Sequence, residues 1–240
     1  MKRVFKYIML LLTISLLSGC LYPKEKLKQN QIPYEVQIST VQSAVEQYKE
    51  VNGGLLPIKT RDMSTPIYQK YPIEFGKLIP KYIGEAPGSA YENGGDFLYV
   101  LVNVETNPSV KLLDLKVTEK ISDLHLRLDV YRQQNGYPPV KDVINKDYFT
   151  LDYEKLGLKE EPYVVSPYTG NNLPFFIDSD ANIYVDYRID LAKALSENTH
   201  SFKKGDDIRE ILVVHSNFVP AHSVPYTIDP EKNEPIFLSK

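Results

Sequence analysis

Cysteine occurs once in this chain, at position 20, and tryptophan not at all. A single cysteine rules out an intrachain disulfide and any metal site built from several thiolates. No apolar run approaches the roughly 20 residues that a spanning helix needs. Gly-x-Ser-x-Gly, His-Glu-x-x-His, a phosphate-cradling glycine loop and a dinucleotide fingerprint are all missing, so no nucleophile elbow, zinc helix or nucleotide loop is on offer. An excess of positive charge is lacking too: 28 Lys and Arg stand against 31 Asp and Glu. Nucleic acid rewards clustered Lys and Arg, and it is not expected as a partner. No catalytic residue, cofactor-binding residue or metal ligand is assigned. No cofactor is expected, and the chain is read as non-enzymatic.

What is present begins at the first residue. Lys2, Arg3 and Lys6 form a positive n-region, Tyr7 to Leu17 an apolar stretch broken only by Thr13 and Ser15, and Ser18 and Gly19 a small-residue cleavage site. These are the three zones of an export signal. The ending Leu17-Ser18-Gly19-Cys20 resembles the lipobox of bacterial lipoproteins. That resemblance implies a diacylglyceryl thioether on Cys20 and cleavage before it. Membrane lipid held through Cys20 is then one partner, an envelope protein a further one, and the outer face of the cell membrane the location. The alternative is an ordinary secretory signal with a chance cysteine. Residues 1–19 are read as signal peptide and 20–33, rich in Lys and Gln, as a lipidated tether. Losing three positive charges with the signal leaves 25 Lys and Arg against 31 acids. Lipidation also consumes the only thiol, which removes thiolate catalysis. A disulfide-free chain of the remaining 221 residues must rest on its packed core, and it suffices for one large domain or two small ones.

Two stretches copy one another. Ile38, Val41, Val45 and Tyr48, then Asn52-Gly53, are answered 83 residues later by Ile121, Leu124, Leu128 and Tyr131, then Asn135-Gly136. Further on, Ser89-x-Tyr91 and Phe97 to Val100 are answered by Ser166-x-Tyr168 and Pro174 to Ile177 at an offset of 77. This period is too long for a solenoid repeat. It reads as two related helix-plus-antiparallel-sheet units, 34–110 and 111–190, in an α+β fold. The three-or-four spacing of the apolar residues places each set on one helix face. Ser39 or Thr40 is the expected cap of the first helix and Thr118 of the second, and Asn-Gly stops both. Phe97 to Val104 reads as a strand. Pro174 to Ile177 and Ile183 to Tyr187 read as two strands around a turn at 178–182. The 18 tyrosines are read first as strand formers and only second as a binding surface.

The order helix, Asn135-Gly136, Tyr137-Pro138, loop, Ser166-Pro167-Tyr168-Thr169-Gly170, hairpin resembles the globular domains of pseudopilins and type IV pilins. This covers about 70 residues of the second copy and implies a helix packed on a small antiparallel sheet. The chain departs from that family at its start, where a lipobox stands instead of a prepilin cleavage site, so filament assembly is not implied. Residues 191–240 form a proline-rich segment expected to pack, extended, on the domain. Within the C-terminal region Asp190 to Leu195 reads as a helical turn, Lys203 to Asp207 as an exposed loop and Ile211 to Val214 as a strand.

Three constellations invite chemistry. Asp178-x-Asp180-x-Asn182 opens like a calcium loop, but Ile183 and Ile189 stand where glycine and glutamate are needed. It reads as a hairpin turn, with calcium the alternative. His200, His215 and His222 gather near the end without helical ligand spacing, and His125 sits within the second helix pattern. Ser201-x-x-Lys204 has the spacing of penicillin-recognising enzymes without their Lys-Thr-Gly.

As a whole the chain resembles small lipoproteins of low-G+C Gram-positive bacteria. The expected role is binding or scaffolding, with a partner lying in a groove between the duplicated units. The solute-binding component of an importer is the alternative, although the alternating βα pattern of such lobes is missing. A cell-wall hydrolase is the second alternative.

Overall fold

The computed structural model describes residues 32–238. Cys20, the signal and all but the last two residues of the expected tether lie outside them. The fold is α+β, with helices packed on antiparallel sheets. Among the described residues no helix is long and apolar enough to cross a membrane.

The first unit opens with α1 (Tyr34–Val51), whose inner face buries Gln37, Val41, Ala44 and Val45. Its start corrects the expected cap. Pro33 occupies the N-cap position, and Ser39 and Thr40 lie inside the helix, donating their hydroxyl protons back to the Val36 carbonyl at 3.0 and 2.8 Å. A proline whose φ is already −53° is preorganised for helix entry, so the helix begins there and the hydroxyls turn to back-bonding. A short helix α2 (Phe75–Leu78) follows. Next come β1 (Phe97–Val102) and β2 (Ser109–Asp114), an antiparallel hairpin. β1 is buried on both faces. Tyr99 and Leu101 pack in the cluster under α1, while Val100 and Val102 meet Val213, Val219 and Ala221 of the C-terminal region. Two-sided burial is why its sequence is apolar throughout rather than alternating.

The second unit also runs from a long helix to an antiparallel hairpin, with more strands between them. α3 (Leu115–Asn135) buries Val117, Ile121, Leu124 and Leu128. Its cap is Asp114, whose carboxylate accepts the Lys116 N–H at 2.9 Å. The expected cap, Thr118, is a turn further in. An aspartate at the boundary outcompetes a threonine already inside the helical frame. The helix stops as expected at Asn135-Gly136: Gly136 takes φ +83° and donates to the Arg132 carbonyl. The sheet holds β3 (Val140–Val143), β4 (Tyr148–Leu151), β5 (Tyr163–Val165), β6 (Asn172–Asp178) and β7 (Ile183–Val185). β4 and β5 lie along one side of β6 and β7 along the other.

One pair of strand bridges follows the offset read from the sequence. Pro72 pairs with Val100 in the first unit, and Phe149 pairs with Ile177 in the second. Both partners are displaced by 77 residues. The six extra residues of the first copy therefore fall between the helix stop and Pro72, in the loop that carries Tyr68.

The C-terminal region is less extended than expected. It holds α4 (Arg188–Glu197), α5 (Glu210–Val214) and a hairpin of β8 (Tyr226–Ile228) and β9 (Pro235–Phe237). The strand expected at Ile211 to Val214 is the helical turn α5. Three consecutive residues, Ile211, Leu212 and Val213, are buried because α5 is wedged between two cores. Ile211 and Leu212 belong to the second unit's cluster and Val213 to the cluster shared with the first. A short apolar run has no periodicity that separates strand from helix.

The same region joins the units. Leu112 of β2 donates to the Asn217 carbonyl at 2.8 Å and accepts from Val219 at 3.0 Å. Val185 of β7 donates to the His222 carbonyl at 3.0 Å. Residues 217–222 thus cover the outer edges of two strands that occupy equivalent places in the two hairpins. Five of the described tyrosines, Tyr99, Tyr148, Tyr153, Tyr187 and Tyr226, are buried, and others are half-buried against the clusters. Tyr187 donates its hydroxyl to the Ala221 carbonyl, and Tyr226 to that of Val185.

Candidate functional site

A cleft of about 920 Å³ opens where the units meet. Phe97 of β1 and Phe218 of the joining segment form one wall, the first turns of α3 with Lys116, Val117 and Lys120 a second, and residues 158–167, including β5, a third. Tyr34 at the start of α1 stands behind the aromatic wall. Its ring lies 5.2 Å from that of Phe97 and 6.2 Å from that of Phe218, both edge-on. Phe97 and Phe218 themselves are 5.6 Å apart. Tyr163 is the one tyrosine in the lining, so the aromatic surface here is mainly phenylalanine.

Charges on the walls differ in how they are engaged. Lys116 pairs with Asp96 at 3.0 Å and Glu161 with Lys141 at 3.0 Å. Lys120, Lys159 and Glu160 have no ion-pair partner among the described residues. Burial pushes the Asp114 carboxyl above its ordinary pKa, against the Lys116 N–H and ammonium that favour the anion. Its oxygen is committed to capping α3.

The backbone of β5 is half used. Its register is Tyr163↔Pro174, Val164↔Leu173 and Val165↔Asn172. Pro174 has no N–H, and its carbonyl accepts from Asp186 on the other side of β6. One step past the ladder, Ser166 donates to the Asn171 carbonyl at 2.8 Å. Hydrogen-bonded pairs alternate along an antiparallel ladder, so Val164 bonds inward to β6. The N–H and C=O of Tyr163 and Val165 point outward. No group among the described residues bonds them from that side.

The other sequence candidates do not converge here. Asp178 accepts the N–H groups of Asp180 and Asn182, the Asn182 amide and the Tyr184 hydroxyl, all at 2.9–3.0 Å. Burial raises its pKa, and these hydrogen bonds more than offset that, leaving it lowered. The carboxylate closes the β6–β7 turn rather than an ion cage. His200 stacks on Phe202, His215 is exposed at the end of α5, and His222 bonds to Thr118. No cluster of three or more potential metal ligands occurs among the described residues. Ser201 and Lys204 lie exposed in a loop. Ser166, singled out only as part of the repeat, has a clear task. Its hydroxyl donates to the buried Asp190 carboxylate at 2.8 Å and accepts the N–H groups of Tyr168 and Thr169. Thr169 adds a second hydroxyl at 2.6 Å. The Ser-Pro-Tyr-Thr-Gly loop is thereby clamped onto α4.

His222 carries a pH dependence. Its Nε2 lies 3.0 Å from the Thr118 hydroxyl. Burial, reinforced by nearby His125, pushes its pKa down from 6.5 to about 4. Between these values the unfolded chain binds more protons, so the contribution is complete above pH 6.5 and is lost as pH falls toward 4. The expected loss is about 1–3 kcal/mol, allowing for its partial exposure to water. Urea unfolding from pH 7 to pH 4 should show that slope in the parent and a flatter one in His222→Gln.

Sequence reasoning expected a groove between the units but missed its residues. The available signal was a mismatch inside the repeat: Gln37 is answered by Lys120, and Pro87-Gly88 by Val164-Val165.

Comparison with known proteins adds one match. Residues 34–114 match the YphF family N-terminal domain, about a third of the chain. The match runs from the first residue of α1 to the last of β2, which is the first structural unit. No curated protein and no solved structure matches the chain.

Proposed function

We propose that this protein is a lipid-anchored binding or scaffolding protein on the outer face of the cell membrane, and that it holds its partner in the cleft between its two units. The observation that carries this reading is the cleft itself. It draws walls from both units and from the joining segment, and it combines an aromatic surface with exposed lysines. Pockets at junctions between units are where ligands are commonly held. A non-catalytic role agrees with the engagement of Asp114 as a helix cap. The anchor is read from Cys20 and the residues before it.

The test is site-specific photocrosslinking in intact cells. Benzoylphenylalanine is placed at Lys120, at Tyr163 or, as a control, at Lys232 in the β8–β9 turn. A shared adduct from both cleft positions, absent at the control, is expected. No adduct, or bulk lipid alone, overturns the reading.

A further inference from the structure

The geometry points to an extended peptide segment of a partner protein as the occupant of the cleft, added as a strand to the outer edge of β5 with an acidic side chain beside Lys120. This rests on the cleft being the binding site and names the class of ligand.

The duplication supplies an internal comparison. Each unit has a slot between its first helix and the segment that precedes its main hairpin. In the first unit that segment is Ile83 to Gly88, and the slot measures about 270 Å³. Its counterpart, Glu160 to Val165, lies 77 residues on and borders the cleft of about 920 Å³. The first slot is narrowed by the chain itself. Gln37 is buried, its Oε1 accepts the Ser89 N–H at 3.0 Å, and its Nε2 donates to the Ile32 carbonyl at 2.7 Å. Pro87-Gly88 leaves no regular strand there. In the second unit the place of Gln37 is taken by Lys120, which is exposed and bonds to nothing described. The place of Pro87-Gly88 is taken by Val164-Val165, which forms a strand.

Sheet edges are usually blunted by a proline or a charge within the strand. β3 carries Lys141 and Asp142. β5 reads Tyr-Val-Val, with neither. Its Tyr163 and Val165 present two N–H and two C=O groups outward, the pattern that strand addition uses. The molecule already completes an edge this way, where residues 217–219 pair with Leu112 of β2. Charge selects the peptide. With the two ion pairs discounted, Lys120 and Lys159 balance Asp114 and Glu160, and it is the exposed, unpaired Lys120 on α3 that favours an acidic residue at its own position on the incoming strand.

The experiment pans a phage-displayed random dodecapeptide library against the full-length lipoprotein in detergent micelles. Expected winners carry β-branched or aromatic residues in alternation with Asp or Glu. Val165→Pro removes one outward N–H and no inward bond, and Lys120→Glu reverses the selecting charge. Each is expected to weaken binding of the winning peptide at least tenfold with the thermal midpoint kept. Methylating alternate peptide nitrogens should do the same, whatever happens to the fold of the proline variant. Failure to enrich any peptide, or equal binding to Lys120→Glu and to the methylated peptide, overturns the inference. If the photocrosslinks then capture a glycan or a small solute from the same positions, the binding reading stands and only the peptide is wrong.

Discussion

An Arg209→Met variant should unfold with about 2–4 kcal/mol less stability than the parent, the range for losing one member of a largely buried charge pair. Arg209 is 6% exposed. Its guanidinium grips both oxygens of Asp207, at 3.0 and 2.6 Å, and donates to the Ser223 carbonyl and hydroxyl at 3.1 and 2.9 Å. It also lies over the Tyr68 ring, 5.1 Å from its centroid. Tyr68 comes from the connection that is six residues longer in the first copy than in the second. Burial pushes its phenol far above the ordinary range while the Arg209 charge pulls the other way. Methionine keeps most of the apolar stem, so what is lost is the fork of donors and the charge over the ring. The Asp207 side chain is 36% exposed and can rehydrate, which keeps the loss below that of a fully enclosed pair. Arg209→Lys should not restore it, because an ammonium cannot span Asp207 and Ser223 with the geometry of a planar fork. A thermal midpoint lower by roughly 5–15 °C is the readout, given about 2–4 °C per kcal/mol at this size. Combining Arg209→Met with Tyr68→Leu adds a sharper measurement. If the ring contact helps bind the first unit to the C-terminal region, the pair should be non-additive by about 0.5–2 kcal/mol. Strict additivity would locate the junction's strength elsewhere, in the Val100, Val102, Val213 and Val219 contact.

How much of this was legible beforehand follows from the range of each interaction. Local chemistry read well. The Asn-Gly stop of α3 depends on one residue tolerating a positive φ, and the apolar spacing of both helices depends on a face of fixed period. The duplication was legible because offsets of 83 and 77 need only the order of residues. The structure then places Pro72↔Val100 and Phe149↔Ile177 at that second offset. Features set by distant partners did not read. Ile211 to Val214 is helical because two cores seize consecutive residues, a fact written in residues 100–228 and not in the run itself. The caps fell to Pro33 and Asp114 rather than to the hydroxyl residues nearer the apolar pattern. The cleft was foreseen as a groove without an address. Its address depends on Gln37 narrowing one slot and Lys120 leaving the other wide, a difference that looks like surface variation until the Ser89 N–H is seen to need the glutamine.

Replacing Cys20 with serine should abolish membrane attachment, the largest functional effect expected of any single change. Palmitate label on the protein should fall to background in Cys20→Ser and stay at parental level in a Ser18→Ala control, which keeps a small residue before the cysteine. Tyr7 to Leu17 is 11 residues, about half of what a spanning helix needs, so the segment would not replace the proposed anchor. Two acyl chains hold a protein stably where one holds it marginally, and serine offers no sulfur to carry the glyceryl group. The proposed anchor also sets where the cleft works. The 14 residues 20–33 can span at most about 50 Å. The described chain begins within two residues of Tyr34, whose ring touches Phe97 and Phe218 on the cleft wall. The cleft therefore opens beside the start of α1, the end of the described chain nearest the proposed anchor. A partner bound there would itself lie within a few tens of ångströms of the lipid. Full retention of label in Cys20→Ser would sever that chain of reasoning at its first link, leaving a cleft without a membrane to face.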